Sequence, residues 1–154
     1  MLIAIIALIV VLGILILFHE LGHFLSARIF KVKVEEFGFG YPPRIIGRVK
    51  NDEGKWQWVK RKDKAENFKN TVWSLNWIPL GGFVKIKGEN DNTSKEKNSF
   101  ASRKIWQRAI MLLAGVFMNF VLCVILLTIG FNFGVPSAID QKVMREAKNV
   151  QDIK

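Results

Sequence analysis

The residues best suited to chemistry are His19, Glu20 and His23, which form the pattern H-E-x-x-H at the inner end of an apolar run. On a helix, residues four positions apart lie about 40° apart around the axis and one turn apart along it. Both imidazoles therefore face the same way, and Glu20 can reach a water held between them. Zinc suits two imidazoles and an oxygen ligand, with one position left open for water. The pattern predicts a Zn²⁺ site in which His19 and His23 are metal ligands and Glu20 is the catalytic base and acid.

An ordinary structural role for the two histidines is the alternative interpretation, because imidazoles on one helix face can also be core or interface residues. The chain has only two histidines, and both belong to this pattern. Ionisable side chains at the end of a membrane-length apolar helix are costly to place, so a functional role is the default expectation. The position of the pattern therefore favours the metal site.

The element that must carry the pattern is an apolar segment of membrane-spanning length. Residues 1–18 contain no charged side chain, and apolar residues resume after the pattern. A helix of about 28 residues is roughly 42 Å long, which exceeds the thickness of a bilayer core. A signal peptide is the alternative, but the segment lacks a basic start and a small-residue cleavage site. We predict a transmembrane helix over residues 2–30, in a first segment of the chain that covers residues 1–30.

A second apolar segment without charges covers residues 109–131, after an interfacial collar of mixed aromatic and basic residues at 99–108 where the helical pattern begins. Gly115 and Asn119 lie four positions apart on one face of this second predicted transmembrane helix. A small residue lets two helices approach closely, and a buried amide can bond across the contact. Asn119 is therefore either a contact between helices or a neighbour of the metal. The lone Cys123 excludes an intramolecular disulfide and a cysteine-based metal site.

The segment between the spans, residues 31–98, has strand and turn patterns rather than helical ones. Pro and Gly interrupt alternating runs, which predicts strands at 33–39, 44–50, 55–60, 71–78 and 83–87. Residues 89–98 are polar and charged and are predicted to be a mobile linker. Many bulky aromatic and aliphatic residues surround the Pro79 turn. They favour a sheet that dips into the membrane interface over an ordinary cytosolic hairpin.

The charge distribution predicts how the chain is oriented. Half of the 154 residues are hydrophobic and the net charge is +10, yet 19 of the 23 Lys and Arg lie from Arg28 to Arg108. By the positive-inside rule, the middle is cytoplasmic and both ends of the chain are extracytoplasmic. Membrane orientation explains the basic charge, so no nucleic-acid partner is expected. The predicted fold is a mainly α multi-pass protein of the inner membrane, with two transmembrane helices joined by a cytoplasmic, membrane-associated β region.

Taken together, these segments resemble the site-2 protease family of intramembrane zinc metalloproteases. The resemblance is closest to the bacterial branch that includes the regulator of sigma-E protease, and it covers nearly the whole chain in order. It is carried by FHELGHFLSARIF at 18–30, EEFGFGYPPRI at 35–45, NWIPLGGFVKIKGE at 76–89 and SFASRKIWQRAIMLLAGVFMNF at 99–120.

The resemblance implies regulated intramembrane proteolysis of single-span membrane proteins, such as anti-sigma factors or remnant signal peptides. It implies that residues 76–87 form a membrane-associated hairpin, which presents the substrate as an extended strand. Val116 stands where the family usually has Pro, a departure that affects helix shape more than chemistry. The resemblance also implies which residues position the substrate: Asn76, Gly82, Phe83, Val84, Lys85 and Asn119.

The family takes its third zinc ligand, an Asp, from a later span that follows one or more PDZ domains, and this sequence has no third span. Residues 132–154 resemble the extracytoplasmic start of a PDZ domain, where Asp140 is on the wrong side of the membrane to be the ligand. We therefore expect the amino-terminal part of a longer protease, inactive alone. A non-catalytic membrane scaffold or metal-binding module is the alternative. A transporter fragment fits the β-rich middle poorly.

Overall fold

The computed structural model describes residues 1–90 and 96–134. The predicted PDZ start from residue 135 onward, with Asp140, and residues 91–95 of the predicted linker lie outside the described residues. The elements are α1 (Leu2–Ile29), β1 (Val34–Lys50), β2 (Trp56–Val59), β3 (Val72–Ile86) and α2 (Ile105–Phe133), with short 3-10 turns at Ala65–Asn67 and Phe100–Ser102.

Both helices are long and apolar enough to cross a membrane. Along the first half of α1, nearly every large aliphatic side chain is exposed. Such an exposed apolar surface marks a contact with lipid or with another protein. The prediction of two apolar helices with an antiparallel sheet between them is confirmed.

The start of α2 differs from the prediction. The sequence pattern suggested a helix from about Ser99, but α2 begins at Ile105. The side chain of Ser99 accepts a hydrogen bond from the N–H of Ser102, which closes a 3-10 turn, and Arg103 then adopts an extended conformation with ψ 156°. A serine cap competes locally with helix formation, and this local competition separates the collar from the helix proper.

The sheet is two interlocked hairpins with a short additional strand. Its strand order is β2-β1-β3; the strands are antiparallel overall, but residues 36–39 of β1 pair with residues 72–75 of β3 in the parallel sense. Both β1 and β3 fold back on themselves, β1 near the Pro42–Pro43 turn and β3 near Gly81. Across the sheet, the order of the segments is 56–59, 44–50, 72–78, 34–41 and 82–86. Segment 82–86 is consequently an edge, beside α1.

The packing divides into two hydrophobic clusters. The larger one joins α1, the sheet and α2, and its buried members include Phe24, Phe37 and Met111. The smaller cluster lies under one face of β1, β2 and β3, with residues 65–68 covering it; its buried members are Val49, Val59, Ala65 and Val72. The first cluster fixes the end of α1 that carries His23 against both the sheet and α2.

A buried ion pair holds the bent β1 strand. The guanidinium of Arg44 donates two hydrogen bonds to the carboxylate of Glu36, one of them 2.8 Å long from Nε. Its third nitrogen donates to the carbonyls of Lys60 and Asp63, at 3.3 and 3.0 Å. Both side chains of the pair are 8% exposed. Each nitrogen of the guanidinium is therefore bonded, as a buried charge requires.

The chain divides into two units, Met1–Cys123 and Val124–Lys154. The first contains α1, the sheet and α2 as far as Cys123. In the described part of the second, the Thr128 hydroxyl donates to the carbonyl of Val124 and the Asn132 amide donates to the carbonyl of Thr128, both at 2.8 Å. Every contact of the candidate site lies in the first unit.

Candidate metal centre

The imidazoles of His19 and His23 meet one turn apart on α1, with ring centroids 4.8 Å apart and planes at 74°. Their Nε2 atoms converge on one point: each lies 2.6 Å from the position that a Cβ on Gly115 would occupy. The two nitrogens are therefore no farther apart than twice that distance. Two imidazole nitrogens that converge in this way can act as ligands of one metal ion.

Glycine at position 115 makes this convergence possible. A Cβ there would overlap both imidazoles, because real Cβ contacts are essentially never shorter than 3.0 Å. A side chain on Gly22 of α1 would in turn overlap the backbone of Ala114 and Gly115. The two helices touch at a pair of glycines, and the close approach brings α2 over the histidine face of α1.

The orientation of His23 is set by α2. Its Nδ1 donates a hydrogen bond to the Met111 carbonyl at 2.7 Å. A proton on Nδ1 leaves the lone pair on Nε2, the atom that faces Gly115. Metal-binding histidines characteristically use their second nitrogen in this way. The Ser26 hydroxyl also donates to the His23 carbonyl, at 3.0 Å.

Asn119 of α2 approaches His19. Its Nδ2 lies 3.5 Å from Nδ1 of His19, and its buried Oδ1 has no hydrogen-bond partner among the described residues. Rotating the amide by 180° exchanges the two atoms and brings Oδ1 to Nδ1 of His19. His19 then donates from Nδ1 and keeps its lone pair on Nε2, as His23 does.

Glu20 lies where α1 meets the edge of the sheet. The backbone N–H of Val84 donates a hydrogen bond to its carboxylate. A Cβ on Gly82 would lie 3.1 to 3.2 Å from the backbone of Leu17 and the side chain of Glu20. The strand thus packs directly on α1, and the carboxylate of Glu20 is adjacent to the main chain of β3.

A second carboxylate, Glu89, is close enough to interact electrostatically with Glu20 and His23. Burial raises the pKa of Glu89, although His23 opposes the effect.

A groove of about 660 Å³, which we call the Glu20 groove, opens beside Glu20. Tyr41 and Phe83 line it together, and their rings meet edge to face with centroids 6.0 Å apart. The other lining residues are Ile16, Ile78, Leu80, Gly82 and Val84. The groove lies along the edge segment of β3, where an added extended peptide would run.

The predicted substrate-positioning residues occupy different surroundings. Gly82, Phe83 and Val84 line the groove beside Glu20. Asn76 does not: it is 3% exposed, and its amide donates to the carbonyl of Gly40 at 2.8 Å inside the sheet. Asn119 contacts His19, as described above.

Lys85 turns away from that groove and forms ion pairs with Glu35 at 3.2 Å and Glu66 at 2.5 Å. Burial lowers the pKa of Lys85, but its hydrogen bonds to Glu66 and Glu35 outweigh the effect and raise it overall. The same hydrogen bond lowers the pKa of Glu66.

The donor set fits zinc in part. Two Nε2 atoms converge and the second nitrogen of one ring is already bonded, which suits a borderline metal that prefers imidazole. Within residues 1–90 and 96–134, however, no group of three or more His, Cys, Asp or Glu side chains is placed to hold a metal ion. The described residues thus supply two nitrogen donors and no third ligand.

Sequence reasoning missed four contributors. It treated Gly115 only as a helix contact, and it assigned nothing to the Met111 carbonyl, to Glu89 or to Tyr41. The H-E-x-x-H spacing says which helix face matters but not what covers it. The one available signal was Gly115 itself, because a glycine four residues before an asparagine marks a close helix approach.

Comparisons with known proteins agree with this geometry. The family model of peptidase family M50 matches residues 7–59 and 64–153. A Fusobacterium nucleatum protein named "Putative zinc metalloprotease" is 40% identical over 119 residues, 77% of this chain and 30% of its own length. Proteins with the same description from Campylobacter jejuni and Thermotoga maritima are 35% and 37% identical, over 84% and 78% of this chain and 31% and 21% of their own lengths. The chain spans about a third or less of the length of these curated relatives.

Proposed function

Because the chain belongs to peptidase family M50, we propose that the complete protein is an intramembrane zinc metalloprotease of the site-2 type. In this proposal His19 and His23 are two of the zinc ligands, and Glu20 is the catalytic base and acid. The observation that carries it is the convergence of both Nε2 atoms on one point above Gly115, with Glu20 adjacent.

When bound, zinc supplies a Lewis acid that polarises the scissile carbonyl. The residues of this chain orient the metal ligands and transfer the proton. Met111 and Asn119 orient the two imidazoles. Glu20 accepts the proton of the attacking water and passes it to the leaving amine. We propose that a third ligand, an Asp, comes from a part of the complete protein beyond this chain, so that these residues alone do not hydrolyse peptides.

The proposed substrates are single-span membrane proteins, such as anti-sigma factors or remnant signal peptides. A helix hides its carbonyls from a nucleophile, so the cleaved segment must unwind and find new main-chain partners. The edge segment 82–86 pairs with β1 on one side only, and its other side, apart from the Val84 N–H that donates to Glu20, can accept an extended peptide. Apolar substrate side chains fit the Glu20 groove, which Tyr41 and Phe83 help to line.

The proposed location is the inner membrane, with the sheet on its cytoplasmic side and both ends of the chain outside. The M50 family is integral to membranes, and both helices have spanning length. The concentration of Lys and Arg between the helices supports the orientation. In this orientation the histidines lie within the bilayer, toward its cytoplasmic face.

The test is Glu20→Gln in the complete protein, reconstituted with a single-span substrate. We expect cleavage to fall at least about 100-fold, because general acid and base catalysis is lost, while zinc content stays unchanged. Glu66→Gln is the matched control, since Glu66 is an exposed carboxylate on another face. Cleavage that survives in the Glu20 variant at the control's rate would contradict the assignment.

A non-catalytic metal-binding module is the second candidate. The absence of a third ligand from the described residues favours it for this chain taken alone. It predicts that the complete protein binds zinc without cleaving any membrane-spanning substrate. The same reconstitution distinguishes the two proposals.

A further inference from the structure

The open face of the sheet carries a large polar groove, which we call the basic groove. It has a volume of about 1120 Å³ and lies between the cytoplasmic end of α1 and the sheet. Five of its lining residues are cations, and Asp52 is the one acid among them. The cations are Arg28, Lys31, Lys33, Lys50 and Lys69.

Most of these cations are not neutralised by the protein. Lys69 pairs with Asp52 at 3.2 Å, and both side chains are largely exposed. No carboxylate in residues 1–90 and 96–134 lies within 4 Å of the charged groups of the other four. The ammonium of Lys33 does donate a hydrogen bond to the Glu66 carbonyl at 3.2 Å. A concave surface with four cations that form no ion pair focuses a field that attracts anions.

A second groove, which we call the apolar groove, adjoins the first. Its volume is about 430 Å³, and it is bordered by Leu17 of α1 and by apolar side chains of the sheet such as Ile46 and Leu75. Trp56 and Trp73 line both grooves. The two indoles therefore form the boundary between a charged compartment and an apolar one.

The two grooves lie at different depths along α1. Leu17 borders the apolar groove and Arg28 borders the basic one. At a rise of 1.5 Å per residue, these two residues lie about 16 Å apart along the helix axis. That distance is about half of a bilayer's hydrocarbon thickness. An apolar compartment at the inner depth and a charged one at the helix end match the acyl and headgroup layers of a membrane leaflet.

The side chains that border the two grooves are of the aromatic and basic types found at a membrane interface. Lys50 lies 5.3 Å from the ring centre of Trp56, and Arg48 lies 4.8 Å from that of Trp58. Trp56 and Trp58 remain 47% and 64% exposed. Tryptophan with adjacent Lys and Arg is typical of residues at the level of lipid headgroups.

The opposite face of the same strands is covered, which makes the open face distinctive. Val49, Val59 and Val72 are at most 1% exposed under residues 65–68. In the register, Arg48 is paired with Trp58 on one side and Trp73 on the other, so these three side chains share the open face. One face of the sheet thus builds the core, and the other presents cations and indoles outward.

We propose that this face binds an anionic phospholipid, with the phosphate in the basic groove and an acyl chain in the apolar groove. Charge complementarity selects the headgroup, and the adjoining apolar compartment selects a lipid over a soluble anion. The site is separate from the metal centre and does not depend on the protease proposal.

The experiment is a titration of the whole chain, purified in mild detergent, with phosphatidylglycerol whose acyl chains are brominated. Bromine quenches the indoles that line the junction, so tryptophan fluorescence reports binding. We expect the wild-type chain to bind this lipid more tightly than brominated phosphatidylcholine. K31Q/K50Q should weaken binding by about 25-fold, because each interfacial cation contributes roughly fivefold.

The matched control is R61Q/K62Q, which removes the same charge from an exposed loop outside both grooves. It should bind phosphatidylglycerol like the wild type. Equal losses in the two double variants would show diffuse attraction by net charge and overturn the site. If K31Q/K50Q fails to fold by circular dichroism, R28Q/K50Q, which removes two lining cations without ion pairs, replaces it with the same expected direction.

Two competitors test the nature of the occupant. Glycerol 3-phosphate carries the headgroup charge without acyl chains and should displace the lipid poorly. Effective displacement by it would show that the apolar groove has no part in binding. Polyglutamate should also displace poorly; if it binds as tightly as the lipid and loses affinity in K31Q/K50Q, the occupant is an acidic protein segment and the lipid proposal is wrong.

Discussion

Two polar clusters of this molecule, one buried around Arg44 and one half-buried around His19 and His23, are completed to different degrees. Around Arg44, all three guanidinium nitrogens donate to Glu36 or to the carbonyls of residues 60 and 63. Around His19 and His23, both Nε2 atoms point at the same glycine. The first cluster is satisfied by the protein, and the second is not.

The difference indicates what each cluster is for. A guanidinium whose nitrogens all donate to the protein has no donor left for a ligand, whereas two imidazole lone pairs that converge on one point can both bind one metal ion. The arginine cluster needs nothing further and fixes the fold of β1. The histidine cluster offers lone pairs in a converging arrangement, as a metal site does. The predictions below test this division, beginning with the largest expected effect.

The largest effect is expected in the satisfied cluster. Arg44→Met leaves the Glu36 carboxylate buried without its partner and should lower the free energy of unfolding by about 3 to 5 kcal/mol. Unfolding in detergent measures the change. The double variant E36L/R44M removes both charges and should recover most of the loss. A single variant as stable as the wild type would show that the cluster does not hold the sheet.

The next effect is expected in the incomplete cluster, at Gly115. In Gly115→Ala, the added Cβ would lie 2.6 Å from both Nε2 atoms and force the imidazoles apart. The zinc affinity of the complete protein should fall by about 100-fold, the upper range for a neighbour of a metal ligand. Chelator competition measures this affinity.

Gly13→Ala is the control for Gly115→Ala, because a Cβ there meets only the Gly81 nitrogen at an ordinary 3.7 Å. It should leave zinc affinity unchanged. Similar losses in both variants would mean that helix perturbation, and not the overlap with the imidazoles, causes the effect.

A smaller effect is expected from two asparagines in different surroundings, Asn119 beside His19 and Asn76 inside the sheet. Asn119→Leu removes the group that orients His19 and should lower zinc affinity by about tenfold, with little change in stability. Asn76→Leu removes the bond to the Gly40 carbonyl and should cost about 1 kcal/mol of stability with no change in the zinc affinity of the folded protein. If both variants changed the same quantity, the division between the clusters would fail.

The smallest effect concerns the exposed pair of Glu66 and Lys85. Lys85 lowers the pKa of Glu66, so the pair stabilises the fold above the carboxyl's unfolded pKa and loses that contribution as pH falls through the lowered one. Glu66→Gln should cost at most about 0.5 kcal/mol at neutral pH, since the carboxylate is half exposed. Unfolding measured at acid pH should show no difference from the wild type; a difference that grew on acidification would contradict the pKa direction.

The sequence was sufficient to predict the elements but not the contacts between them. Uninterrupted apolar runs have one physical solution in a membrane, so α1 and α2 were predictable. Pro and Gly likewise marked the turns of β1 and β3. The interlocking of the two hairpins depends on long-range pairing, which periodicity does not encode. Arg44 illustrates the limit, because nothing local distinguishes it from the basic residues that stay on the surface.

The candidate site was predictable to the same extent. The spacing of His19, Glu20 and His23 specified their shared helix face from local geometry alone. What lies opposite that face depends on how α2 packs, so the Met111 carbonyl was not predictable. The described residues supply no third ligand, so the Asp that the family resemblance implies stays a prediction.

Zinc content is the most direct test of the central claim, that two converging imidazole nitrogens on α1 hold a metal ion. The complete protein, purified without added metal, should contain about one zinc per chain by mass spectrometry, as expected of a catalytic site. H19A/H23A should contain none while remaining folded. A folded double variant that retains the zinc of the wild type would contradict the account.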